Sequence, residues 1–294
     1  MTEAPSIATA GGGPTVLRII LGARLRRLRE TSGVSREDAG DAIRASESKI
    51  SRIELGRVPF RVRDLSDLLA LYNVTDPEEM EAFIGLAREA NAAGWWQCEN
   101  DWLPKWFGTY LGMEQAAQLI RSYEPRYVPD LLQTERYARA ALRLTHPNDS
   151  DEILERRVAL RLRRQDIMRR REPPTTWFLV EETALRCRIG GTDVWREQLA
   201  YLIDVCESAK VTLQVLPEQL GGFAMTSGPF SILRFAEAEV SDIVLVPQLT
   251  ASAILDRRAE IDAYSAVMAR LSVNATPFEK TPRMLAALGT EQRG

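Results

Sequence analysis

Apolar residues recur at three- and four-residue steps along the first third of the chain, the spacing of helices that bury one face. Leu17, Ile20, Leu21, Leu25 and Leu28 predict a first helix, which Gly33 stops. The stretch 35–56, SREDAGDAIRASESKISRIELG, predicts two short helices joined by a tight corner. Ser35 fits an N-cap with Asp38 three residues on, and Ser46 fits a second N-cap that opens a helix through Ile50 and Ile53. Gly56, Arg57, Val58 and Pro59 then read as a loop. Leu65, Leu68, Leu69 and Tyr72 mark the inner face of a fourth helix, and Asp76-Pro77 opens a fifth with Met80, Phe83, Ile84 and Ala87 inward. Five helices ending near Asn91 predict an all-α domain.

The pattern changes twice after that. Residues 92–112 hold Trp95, Trp96, Trp102 and Trp106, four of the six tryptophans, together with Phe107 and Tyr110. A flexible tether would be rich in Gly, Ser or Pro. This connector is therefore read as packed, either as an apolar seam between domains or as a pocket wall or subunit contact. Helical spacing returns over 113–123, which Pro125 ends, and again over 133–144 and 151–171. Short runs of β-branched and aromatic residues then predict strands at 176–180, 211–216, 230–235 and 243–246. Helices are expected over 193–208, 256–271 and 282–288. The expected fold is an N-terminal all-α five-helix helix-turn-helix domain (15–91) followed, after the connector 92–112, by an α+β domain (113–289). A leader (1–14) and a short tail (290–294) flank them.

Charge sharpens the picture. The whole chain carries a net −3, which by itself would argue against nucleic acid. Residues 15–73, however, hold 12 Arg or Lys against 8 Asp or Glu, a net of +4, and the remainder carries −7. The positive balance lies in the segment 15–73 that surrounds 35–56, on the side of the chain where attraction to phosphate would be needed. In that stretch Ile50 and Ile53 share one helix face, while Glu47, Ser48, Lys49 and Arg52 point elsewhere. A helix that is apolar behind and hydrogen-bonding in front is what reading a major groove demands. The many Arg of 151–171 read as a solvated, salt-bridged helix face, given the acidic total of that half.

Little points to reaction chemistry. Cys98, Cys187 and Cys206 form no CxxC pair, and the single histidine, His146, lies in a polar loop without metal-ligand spacing. Glu181 and Glu182 follow a strand, where adjacent side chains face opposite sides and make no acid–base pair. Gly190-Gly191 and Gly221-Gly222 extend to neither GxGxxG nor a P-loop and read as turns. No cofactor and no metal is expected. No apolar run approaches 18 residues, and 1–14 has no signal-peptide pattern, so a cytoplasmic, nucleoid-associated protein without membrane contact is expected.

Two resemblances extend this reading. The pieces LRRLRE, GVSREDAGDAI, ASESKISRIELGR and DLSDLLALYNV resemble the Cro/cI-type (xenobiotic-response-element) helix-turn-helix family. The resemblance implies Ser46 as N-cap of a recognition helix, with Glu47, Ser48 and Arg52 toward bases and Lys49 near phosphate. It also implies Arg36 against the DNA backbone, Arg57 in the loop that follows, and a structural ion pair between Glu54 and Arg29. The chain departs from the family at Arg44, where the corner commonly holds Gly, and at Arg36, where Gln is usual. Further on, IRSYEPRYVPDLLQTERYARA, PPTTWFLVEETALR, VWREQLAYLIDVCES and VTLQVLPEQLGG are similar to WhiJ-like actinomycete regulators, in which a helix-turn-helix precedes a domain of unknown function. Asp130 stands where that family commonly has Gly.

The resemblance implies transcriptional control, often with a small partner protein. Because one recognition helix buries too little for operator-grade affinity, a homodimer on a pseudo-palindromic operator in double-stranded DNA is expected, with a small molecule or a small partner protein as effector. The competing expectations are an α+β enzyme carrying an accessory helix-turn-helix, and a helix-turn-helix used only to bind protein.

Overall fold

The computed structural model describes residues 14–92, 103–219, 228–236, 240–248 and 252–290. The tryptophans at 95, 96 and 102, Cys98 and Gly221-Gly222 lie outside the described residues. The chain divides into two compact units, one reaching Ala117 and taking in Phe235–Ser241, the other formed by Gln118–Arg234 and the residues from Asp242 on.

The first unit is all-helical: α1 (Pro14–Thr31), α2 (Arg36–Ala42), α3 (Glu47–Glu54), α4 (Val62–Leu71), α5 (Pro77–Ala90) and α6 (Lys105–Ala116). The apolar stripes read from the sequence form its core, with Leu21, Leu25, Ile50, Leu65, Leu69 and Ala87 fully buried. Of the residues expected inward on α5, Phe83 and Ala87 are buried, whereas Met80 and Ile84 are half-buried. Side chains close the seams between helices. Ser32 Oγ donates to Tyr72 O at 2.9 Å, and Asn91 clasps the Phe60 backbone with bonds of 3.0 and 2.6 Å.

The second unit is α+β. Six strands, β1 (Leu119–Glu124), β2 (Thr175–Glu181), β3 (Val211–Leu216), β4 (Phe230–Arg234), β5 (Ile243–Pro247) and β6 (Ser252–Leu255), order as β3-β2-β1-β4-β5-β6. The β1–β2 and β2–β3 pairs are parallel, and the other three pairs are antiparallel. Parallel pairing requires crossovers. These carry α7 (Glu135–Thr145) and α8 (Asp151–Arg164), then α9 (Glu182–Arg186) and α10 (Thr192–Val205). After β6 come α11 (Arg258–Asn274) and α12 (Thr281–Thr290). One sheet face, through Tyr123, Leu179, Phe230, Ile232 and Val244, packs on Ile261, Met268 and Leu271 of α11.

The expected helix over 113–123 is corrected here. The helix runs from Lys105 to Ala116, and Leu119–Glu124 is the strand at the centre of the sheet. Its two neighbours, β2 and β4, hold it by backbone bonds that no local pattern announces. The strand β6 and helix α9 were likewise not anticipated. The helix expected over 151–171 ends at Arg164, after which Gln165–Met168 tightens into a 3-10 turn.

The VPDLLQT loop of the YEP…VPDLLQT..YARA motif is held by buried glutamines. Gln133 Nε2 donates to Val128 O at 2.6 Å and its Oε1 accepts from Arg161 at 2.8 Å. Gln165 donates to Gln133 O at 2.7 Å, and Gln198 donates to Leu132 O and accepts from Thr134 N, both at 2.7 Å. Three buried glutamines thus satisfy the backbone of a buried loop, as burial demands. Burial by itself pushes the Asp130 carboxyl up, but the guanidiniums of Arg161 and Arg164 outweigh it and hold it below its ordinary range. Arg157 pairs with Asp149, and Glu155 and Asp151 of α8 pair with Arg139 and Arg143 of α7, but the expected solvated face is corrected at Arg161 and Arg164, which turn inward onto Asp130.

Candidate nucleic-acid interface

Both short helices start where local chemistry says they should. Ser35 caps α2 in a full capping box with Asp38, and Ser46 Oγ accepts from Lys49 N at 3.3 Å to cap α3. Between them the corner is held by Ala45 N to Gly40 O at 2.8 Å, with Arg44 at φ +53°. The corner therefore has the left-handed conformation for which glycine is the unstrained choice, and Arg occupies it.

Ile50 and Ile53 bury the inner face of α3. Gly22 of α1 meets the carbonyl oxygens of Ile53 and Glu54 so closely that a Cβ there would lie 2.6 Å from each. Gly56 ends α3 at φ +63°, where a Cβ would lie 2.6 Å from Ile19 N. These contacts fix the distance from α1 to α3. Gly22 was not singled out from the sequence, since nothing local marks a glycine inside a helix as a crossing point.

Glu54 is buried and accepts from Arg29 at 2.5 and 3.3 Å, the ion pair the resemblance implied. It also accepts from Arg36 Nε at 3.2 Å. This Glu54 hydrogen bond is the main cause that raises the Arg29 guanidinium above its ordinary value. Arg36, expected against DNA backbone, is thus at least partly engaged in joining α2 to α3, with its side chain 37% exposed. Lys49, expected near phosphate, reaches Asp64 on α4 at 2.6 Å and is half-buried.

The remaining candidates form the outer face. Ser46, Glu47, Ser48 and Arg52 are exposed, and Arg52 Nε makes only a long 3.4 Å bond to Ser48 O one turn back. Arg57 is exposed in the loop after α3, and Arg44, Arg61 and Arg63 are exposed on the corner and at the start of α4. The face is cationic, polar and carried on a helix rigidly seated from behind.

A family model for a helix-turn-helix domain matches residues 20–83, the segment just described. A second, described as a domain of unknown function (DUF5753), matches residues 107–287, more than half of the chain. The chain belongs to the DUF5753 family. In this DUF5753 protein the helix-turn-helix segment points to a DNA-binding regulator rather than an enzyme. No curated protein and no solved structure matches the chain.

The groups considered for catalysis have other partners. Tyr123 donates to Glu181, and Glu182 accepts from Arg186 at 2.8 Å. Cys206 is half-buried and burial pushes its thiol up to about 11, away from reactivity. Gly190 and Gly191 turn the chain into α10 at φ +78° and +87°, as turns. No described helix is long and apolar enough to cross a membrane.

Proposed function

We propose that this protein is a sequence-specific transcriptional regulator of the Cro/cI type, placed with the WhiJ-like regulators. On this reading it works in the cytoplasm on the nucleoid and binds a pseudo-palindromic operator as a homodimer. The observation that carries the reading is the outer face of α3: Glu47, Ser48 and Arg52 are exposed while Ile50 and Ile53 lock the same helix to the core.

The exposed face of α3 supports the following roles. Arg52 can fork onto guanine O6 and N7, and Glu47 can accept from cytosine N4, so the half-site contains a G·C pair. Ser48 supplies a hydroxyl that suits several base edges. Ser46 is the cap and aims backbone N–H groups of the helix start toward phosphate. Arg57, Arg36 and Lys49 supply phosphate attraction, with the last two discounted because Glu54 and Asp64 already neutralise part of their charge. One recognition helix gives too little contact for operator-grade affinity, so two heads meet half-sites about 34 Å apart. The α+β unit receives the effector, a small molecule or a small partner protein.

The test is a gel-shift series with Arg52→Ala on operator variants. A loss of about 1–3 kcal/mol that disappears when one base pair is changed supports base reading. An equal loss on every sequence makes Arg52 a phosphate contact, and no sequence preference in the unsubstituted protein sinks the proposal.

A further inference from the structure

Helix α11 uses only half of its surface in the fold. Ile261, Met268 and Leu271 face the sheet, whereas every residue of the opposite stripe from Ala259 to Val273 is exposed. At 3.6 residues per turn the stripe positions fall within about 60° of Ala266, along roughly 21 Å of helix. Apart from one acidic and one basic residue it consists of alanines and Val273, which is 85% exposed. Phe278, four residues past the helix end, is 54% exposed.

The order of residues along this stripe is symmetric about its midpoint. If a second α11 lies antiparallel across it with Ala266 on the axis, Ala263 faces the partner's Ala269, and Ala259 faces the partner's Val273. The charges also match: Asp262 faces the partner's Arg270, twice by symmetry. Asp262 already holds Arg258 at 3.0 Å, and Arg270 has no carboxylate partner among the described residues. The alanines let two helix backbones approach closely, and the two crossed ion pairs set the register and exclude the parallel arrangement.

We propose that the outward stripe of α11 is the contact between two copies of this chain, with antiparallel helices crossing on a two-fold axis at Ala266. The proposal supplies the dimer that the regulator reading requires and rests on that reading for its purpose. Two helices alone bury less than the roughly 800 Å² per partner of a stable interface. Association in free solution is therefore weak, and a duplex carrying two half-sites strengthens it by raising the effective concentration.

Sedimentation velocity on the full chain tests this, alone and with a two-half-site duplex. Asp262→Arg and Arg270→Asp each put like charges face to face and should weaken self-association about ten-fold or more, while the combined variant returns it to within about three-fold of the parent. Ala266→Glu, which places two carboxylates on the axis, should weaken it as well. All these positions are exposed, so melting temperatures should match the parent's. Equal self-association in every variant overturns the proposal, as does a parent chain that stays monomeric at high concentration and occupies two half-sites independently. Charge reversal and rescue in a protein that binds no DNA would uphold the contact and sink the regulator reading instead.

Discussion

At Arg44 the chain puts a β-carbon into a left-handed corner, and the backbone carries the cost. Arg44→Gly removes a strain of about 1 kcal/mol and adds some unfolded-chain entropy, so a net gain of roughly 0.5 kcal/mol is expected in urea unfolding of the first unit. The same change should lower DNA affinity if the Arg44 guanidinium reaches phosphate. Glu124 is the residue that links stability to pH. Burial is the main cause that pushes its carboxyl up to about 8. Between the ordinary carboxylate range and about pH 8 the unfolded chain has released this proton and the folded chain retains it. Stability therefore falls as pH rises through that window, by an amount on the order of a few kcal/mol, and levels off above it. Glu124→Gln should flatten the slope of urea midpoint against pH between 5 and 8. An unchanged slope would remove Glu124 from the account.

Helix packing in the first unit hinges on two backbones touching. Gly22→Ala forces a methyl group to within 2.6 Å of two carbonyl oxygens, so α1 must move off α3. A loss of roughly 2–4 kcal/mol is expected in thermal or urea unfolding. Gly85 on α5 is the control, because its added methyl would meet nothing within 4 Å. Gly85→Ala should stabilise by about 0.5–1 kcal/mol through helix propensity alone. Equal effects at the two sites would mean the crossing does not set the position of α3. The caps at Ser35 and Ser46 were legible because a hydroxyl and an N–H three residues on are local partners. The crossing at Gly22 was not, because its partner lies some thirty residues away. The engagement of Lys49 by Asp64 also escaped the sequence reading, since it needs α4 folded against α3.

On the proposed dimeric reading, the decisive quantity for the whole molecule is the geometry of two reading heads. A net of +4 in 15–73 is small, so non-specific attraction is modest and the balance shifts to a few base contacts and to half-site spacing. Inserting five base pairs between half-sites turns one of them to the opposite face of the duplex. Affinity should then drop to that of a single head, and inserting ten should restore much of it. A gel shift indifferent to spacing would mean the heads act independently.

Several features followed from sequence alone. The apolar stripes, the capped pair of short helices, the outward polar residues of α3 and the change to β-rich runs are all set within a few residues of chain, where spacing and side-chain reach decide the outcome. Tertiary structure decided what depends on distant partners. It made 119–124 a central strand, because two neighbouring strands supply hydrogen bonds that a short polar-apolar run does not disclose. It divided Glu54 between two arginines and turned the signature glutamines into supports for a buried loop. It also left one face of α11 open, which periodicity alone could not tell from a face packed on a neighbouring element, since alanine serves equally in either place.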